Sequence, residues 1–347
     1  MTDQILVLAW LVLAHLAADF VLQTGRIVRA KNGRGATAAG GLLAHGLIVA
    51  VTLVPFGLAY GGPGWALLAW SAGLHVVIDW AKIGLTRRAA GRALADARAR
   101  HEDPQPADHL GRAWTAAPAA LFIADQLAHL GVLALGWSIF LLAGRDLQPG
   151  WLDAVNAVFG SVDRTGIHRV VGVGLVIAIL AIVNIRAASI FVAILVRPVE
   201  EAEGEPRWGA RADPAVSATA TSATRSADPM GRPEPARHWS VRIGPFQGLI
   251  DARPEPPGAN VPAAGPAMSA RVGATIGILE RILIVVFVLT GADVAIGFVV
   301  AAKTLARFRQ LDDREFAEYY LLGTLGSVSV AIVTALVGRA AIATLLG

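Results

Sequence analysis

Five apolar stretches, at residues 4–23, 40–60, 65–86, 117–143 and 168–196, each approach the roughly 20 residues that an α-helix needs to cross about 30 Å of hydrocarbon. A bilayer accepts only helices and closed barrels, and runs this long without apolar/polar alternation do not read as strands. The expected fold is therefore all-α, a polytopic transmembrane helix bundle of about 7 to 8 spans. Residues 272–302 add an apolar stretch interrupted at Thr290-Gly291-Ala292-Asp293, readable as one long tilted helix or as a tight hairpin of two short ones. A last span covers 319–345. Composition agrees, because 55% apolar and 16% charged residues in 347 leave too little charge for a soluble chain of this size.

The chain divides accordingly. Residues 1–143 read as a four-helix transmembrane core, 144–196 as a region carrying the fifth helix, 197–271 as a disordered linker rich in Pro, Ala, Ser and Thr, and 272–347 as a C-terminal transmembrane region. Between spans three and four, residues 87–112 read as a charged surface helix followed by a loop around Pro104 and Pro106.

Arg26, Arg29, Lys31 and Arg34 crowd one short loop without an acid, and 87–112 is also net basic, so both are expected on the cytoplasmic side. The N-terminus is then outside, in a multi-pass protein of the bacterial inner membrane. Lys303, Arg307 and Arg309 fall inside only if 272–302 crosses twice, which favours the hairpin and eight crossings. Asp3 and the lack of a basic start before the first apolar run predict that the first helix is kept. The pI near 9.9 reflects these loops, and no nucleic-acid partner is expected. With no cysteine, disulfides, thiolate metal sites and cysteine nucleophiles are excluded, so any metal must be held by His, Asp, Glu or water.

Ionisable side chains at bilayer depth cost at least about 2.5–3.5 kcal/mol each, which makes each one a functional hypothesis. Four spans carry His15 and Asp19, His45, His75 and Asp79, and Asp125 and His129. Each Asp/His pair is spaced by four and shares a helix face. Given the alternating directions of the spans, every Asp lies nearer the cytoplasm and every His deeper, within a layer roughly 6–18 Å into the membrane. One shared site opening to the cytoplasm is expected. Imidazoles with carboxylates suit a divalent metal, zinc first, with Asp19 and Asp125 as catalytic carboxylates and any surplus groups acting as orienting partners, a base, or ligands to a second metal.

Two plainer readings stand beside this one: helix-packing hydrogen bonds, and a proton or ion relay. Around the layer, Lys82 is placed to pair with Asp79, Ser71 and Gln23 to support neighbouring site residues, and Gln126 to point about 100° away from Asp125. His101, His109, His168 and His238 are expected in loops, at a helix end or in the linker. Glu280 and Arg281 read as interfacial or as part of an interhelix ion pair.

Ala14-His15-Leu16-Ala17-Ala18-Asp19-Phe20-Val21-Leu22-Gln23-Thr24, His45 after Leu42-Leu43-Ala44, His75-Val76-Val77-Ile78-Asp79-Trp80-Ala81-Lys82 and Asp125-Gln126-Leu127-Ala128-His129 occur in an order that resembles an uncharacterised bacterial membrane family, domain of unknown function 3307. The resemblance covers residues 5–143. Gly277 to Arg281, Ile296 to Phe298, Ala301 to Lys303 and Tyr319 to Thr324 resemble the distal region of longer members, which implies that the two halves belong together. No activity comes with the family. The leading expectation from the residues is a membrane-embedded metal-dependent hydrolase acting from the cytoplasmic side on a lipid or lipid-linked substrate. An ion- or proton-coupled transporter and a structural or assembly protein are the alternatives.

Overall fold

A computed structural model describes residues 2–100, 112–142, 146–159, 164–200, 238–243, 246–251 and 266–346. The expected loop around Pro104 and Pro106, with His101 and His109, lies outside these residues, as does most of the expected linker. By contacts the chain forms two units, residues 1–210 with 274–347 and residues 211–273. Within the second unit, strands β3 (His238–Ile243) and β4 (Phe246–Asp251) pair antiparallel, with His238 opposite Asp251.

Among its described residues the larger unit is mainly helical, with one short ribbon in which β1 (Arg112–Ala113) pairs with β2 (Val199–Glu200). Seven of its helical segments are long and apolar enough to cross a bilayer, as expected of a multi-pass membrane protein. Helix α1 (Thr2–Leu16) passes into a π-helical segment, Ala17–Leu22, that completes the first span. The basic helix α2 (Gly25–Lys31), capped by Thr24 Oγ1, leads to α3 (Gly35–Tyr60). Helix α4 (Gly62–Arg100) is 39 residues long, or about 58 Å at 1.5 Å per residue, so the surface helix expected after span three is a continuation of that span. Helix α5 (Ala117–Phe140) and the short α6 (Pro149–Phe159) follow.

Helix α3 shows how sequence selects its environment. Leu42, His45, Gly46, Val49 and Leu53 are buried, while Leu43, Leu47 and Val51 on the opposite stripe are 60–67% exposed. That outer stripe is the face a lipid solvent favours. Glycine lets α4 come close: a Cβ on Gly46 would stand 2.5 Å from Val76 Cγ2, and one on Gly64 would stand 2.0 Å from the Phe56 carbonyl oxygen. This contact sets His45 on α3 beside His75 on α4. Leu11, Val49, Leu53, Leu67 and Leu133 then fill the centre of the four-span bundle.

Helix α7 (Arg164–Ile182), a π-helical segment (Val183–Ala187) and α8 (Ala188–Val196) form one span docked on α1 and α5, where Leu16, Phe20, Phe122 and Ala187 meet. Helix α11 (Arg314–Leu346) runs antiparallel to that span: Gly323 lies against Val196, Gly338 against Leu180 and Gly172 against Leu345. Helix α9 (Pro266–Thr290) runs parallel to α11, with Arg281 at Ser327 and Val288 at Arg339. The chain must therefore return between them, and α10 (Ala295–Ala306) does this after a turn through Gly291 at φ 75°. Lys303 Nζ meets Glu280 Oε2 at 2.6 Å, so 272–302 folds back on itself and Glu280 sits in an ion pair between helices, but the second full pass that gave eight crossings is not formed. The return arm has only 12 residues, about 18 Å, and is too short to cross as a helix.

Candidate metal centre

The seven intramembrane His and Asp side chains converge from four spans. His15, His45, His75, Asp79, Asp125 and His129 are buried, and the Asp19 side chain is 9% exposed. Their innermost contacts form a triangle. His45 Nε2 and His75 Nε2 are 2.9 Å apart, and Asp19 Oδ1 is 3.2 Å from the first and 3.3 Å from the second. Although two imidazole nitrogens lie this close, Asp19 Oδ1 is buried without a hydrogen bond among the described residues. His15 Nε2, also buried and without a hydrogen-bond partner among the described residues, stands 3.9 Å from Asp19 Oδ2.

The π-helical turn aims Asp19. Widening the ladder by one residue shifts the side chains that follow from their α-helical positions. Asp19 is thus turned toward His45 and His75 as well as toward His15, its neighbour four positions back.

The other members surround this triangle. Asp79 Oδ2 is 3.7 Å from His45 Nε2 and accepts a 2.8 Å bond from Lys31 Nζ. Lys82 Nζ donates at 2.8 Å to Asp125 Oδ2, on the next helix. The expected Lys82–Asp79 pair is therefore corrected: Lys31 occupies Asp79, and Lys82 reaches across to α5. Gln126 Nε2 is 3.3 Å from Asp19 Oδ2 and 3.1 Å from Asp125 Oδ2. Its Cβ leaves the helix away from Asp125, yet the long amide side chain reaches back and joins the two carboxylates.

His129 Nδ1 lies 2.9 Å from the Asp125 backbone carbonyl. A carbonyl only accepts, so Nδ1 donates this bond, and the buried Nε2 has no hydrogen-bond partner among the described residues. The His129 ring centroid is 4.0 Å from that of His75 and 5.0 Å from that of His15. Ser71 shares with these three histidines a cavity of about 10 Å³, closed by Val49, Leu53 and Leu133 and roughly the size of one water molecule. The carboxylates lie toward the Lys31 and Lys82 end of the layer and this cavity toward its histidine side. Gln23 Nε2 is buried and has no acceptor among the described residues, which show no hydrogen bond from it to the neighbouring site residues. His168 lies in α7, away from the layer.

Three sets of His and Asp have ligand atoms lying mutually within 4.8 Å: His15, Asp19 and His75; His45, His75 and Asp79; Asp79, Asp125 and His129. All three use a histidine together with a carboxylate, the donor set that suits zinc, manganese or iron(II).

Sequence reasoning missed Lys31, which it assigned to membrane orientation, and the partner of Lys82. A signal existed. In a chain whose basic residues are almost all Arg, Lys31, Lys82 and Lys303 each bind a carboxylate at 2.6–2.8 Å.

No curated protein and no solved structure matches the chain. A family model does match, over residues 7–149, and that segment contains every member of the His/Asp layer together with Lys31, Lys82 and Gln126. Residues 7–149 accordingly carry the domain described as a protein of unknown function, DUF3307, the family to which the intramembrane His and Asp motifs pointed.

Proposed function

We propose that the protein is a membrane-embedded, metal-dependent hydrolase acting on a lipid or lipid-linked substrate reached from the cytoplasmic leaflet. One observation carries this reading, the triangle of Asp19 Oδ1, His45 Nε2 and His75 Nε2 with edges of 3.2, 3.3 and 2.9 Å. Two ligands each about 2.0–2.1 Å from an ion stand about 2.9 Å apart at a right angle and about 3.3 Å apart at the tetrahedral angle. A single divalent ion, with zinc the first choice, satisfies all three atoms. It also answers the buried Asp19 oxygen that no hydrogen bond serves. His15 is the next ligand by position, and the remaining members orient the set or serve the water.

Such an ion lowers the pKa of a bound water to about 7. Asp125, whose buried Oδ1 has no hydrogen bond and whose Oδ2 is joined to Asp19 through Gln126, is the base in this scheme. Asp125 would take a proton from that water as its oxygen adds to the electrophilic centre of the ester, and would return the proton to the leaving oxygen as that bond breaks. The basic α2 segment marks the cytoplasmic side by the distribution of positive charge. Lys31 and Lys82 bind the carboxylate edge of the layer, and on this reading that edge is set toward the cytoplasmic side.

The test is chromatography of the full-length protein in non-chelating detergent, followed by metal analysis and an assay of ester cleavage in extracted bacterial lipids. About one ion per chain and a cleavage lost on chelation and in Asp125→Asn are expected. A wild type that binds no divalent metal overturns the reading.

A second reading, cation transport through the same groups, is favoured by the cavity of about 10 Å³, which suits an ion or a water better than a headgroup. Metal uptake into proteoliposomes, without ester cleavage, would support it instead.

A further inference from the structure

The edge of the layer nearest α2 is made of nitrogen donors. Lys31 and Lys82 bind carboxylates whose side chains are 3% and 2% exposed, while the two lysine side chains keep 12% and 25%. Each pair thus seals its carboxylate in, while the lysine side chain that binds it stays partly exposed. Among the described residues each ammonium donates one hydrogen bond, so two of its three N–H groups stay available. Lys82 Nζ is also held 5.1 Å above the Phe122 ring, which fixes its position from a second side. The Gln126 amide adds a third nitrogen donor beside Asp19 and Asp125.

Charge decides what such a mouth attracts. Three carboxylates against two ammoniums leave the layer one negative charge, with the histidines neutral. A divalent ion on Asp19, His45 and His75 turns this into one positive charge, with two lysines at the entrance. Buried ion pairs add little stability over apolar residues of the same shape, so stability alone gives no reason for two of them at one rim.

We propose that the Lys31–Lys82 mouth recognises the phosphoryl group of the substrate; this rests on the metal-centre reading above. A phosphoryl group brings negative charge and several acceptor oxygens, which match the spare lysine donors and the positive charge behind them. The group can belong to a lipid headgroup or to a free phosphorylated ligand, and the chemistry that recognises it is the same.

Full-length protein, zinc-loaded in non-chelating detergent, is titrated calorimetrically with inorganic phosphate. In parallel it is reconstituted in phosphatidylcholine nanodiscs with and without phosphatidic acid. One phosphate per bound zinc is expected. Lys31→Gln and Lys82→Gln, whose amides can still donate to Asp79 and Asp125, should each weaken phosphate binding about tenfold, the loss of one charge-assisted hydrogen bond, with zinc per chain unchanged. Lys82→Arg should bind within about threefold of wild type, since the charge remains. Weaker phosphate binding in phosphatidic-acid discs assigns the group to a lipid, and equal binding in both discs assigns it to a free ligand. Zinc-loaded wild type that binds no phosphate, or lysine variants that bind it as wild type does, overturn the inference and leave the metal centre standing. A chain that takes up no zinc overturns both.

Discussion

Lys31→Met tests whether the ion pairs at the rim hold the layer in shape. Lys31 Nζ lies 2.8 Å from Asp79 Oδ2, with side-chain exposures of 12% and 3%. At an effective dielectric constant of about 20, the gross Coulomb attraction at this distance is about 6 kcal/mol. Desolvation offsets much of it, and removing one partner of a buried pair costs about 3–5 kcal/mol because the remaining charge is left uncompensated. The nearest group left for Asp79 is His45, at 3.7 Å. Unfolding of the full-length protein in mixed micelles, followed by circular dichroism against rising SDS fraction, should show a loss of about 3–5 kcal/mol in Lys31→Met. Adding Asp79→Asn removes the orphaned charge and should recover at least about half of that loss. A Lys31→Met protein within about 1 kcal/mol of wild type, or a double variant no more stable than the single one, refutes the reasoning, since experiment would then find no buried charge in need of its partner.

Three further outcomes follow from the packing. Gly64→Ala would set a Cβ 2.0 Å from the Phe56 carbonyl oxygen, and backbone must shift to admit it; a loss of about 1–3 kcal/mol in the same unfolding assay is expected. Gly46→Val should push α3 away from Val76, separate His45 from His75 and lower zinc affinity more than overall stability, as read by competition with a chromophoric chelator. Arg281→Met removes bonds to the Asn184 carbonyl, Ser189 Oγ and Ser327 Oγ at 2.7, 2.5 and 3.1 Å, so a loss of about 1–3 kcal/mol is expected, while zinc content should stay at the wild-type level.

Much of this organisation is legible in the sequence, because the bilayer imposes it. Apolar length gives the spans, and four-residue spacing puts His75 with Asp79, and Asp125 with His129, on shared faces. Four features escaped, each for a physical reason. The π-helical turn at Ala17–Leu22 changes the angular step where Asp19 sits, so spacing alone points Asp19 at His15 and misses its approach to His45 and His75. Partner choice across helices is tertiary: Lys82 is three residues from Asp79, yet it binds Asp125 on α5. Side-chain reach defeats face arithmetic for Gln126, whose amide spans the gap between two helices. The return of α10 is a fourth case, where hydropathy marked an apolar stretch but its 12 residues make only a partial crossing.

The central claim is that one divalent ion sits on Asp19, His45 and His75. X-ray absorption at the zinc edge, on full-length protein loaded with one equivalent of zinc in non-chelating detergent, tests it most directly. A first shell of nitrogen and oxygen at about 2.0–2.1 Å is expected, with imidazole scattering from at least two histidines that is lost in the combined His45→Ala and His75→Ala variant. Zinc that remains fully hydrated, or a histidine signal that survives this double substitution, would contradict it.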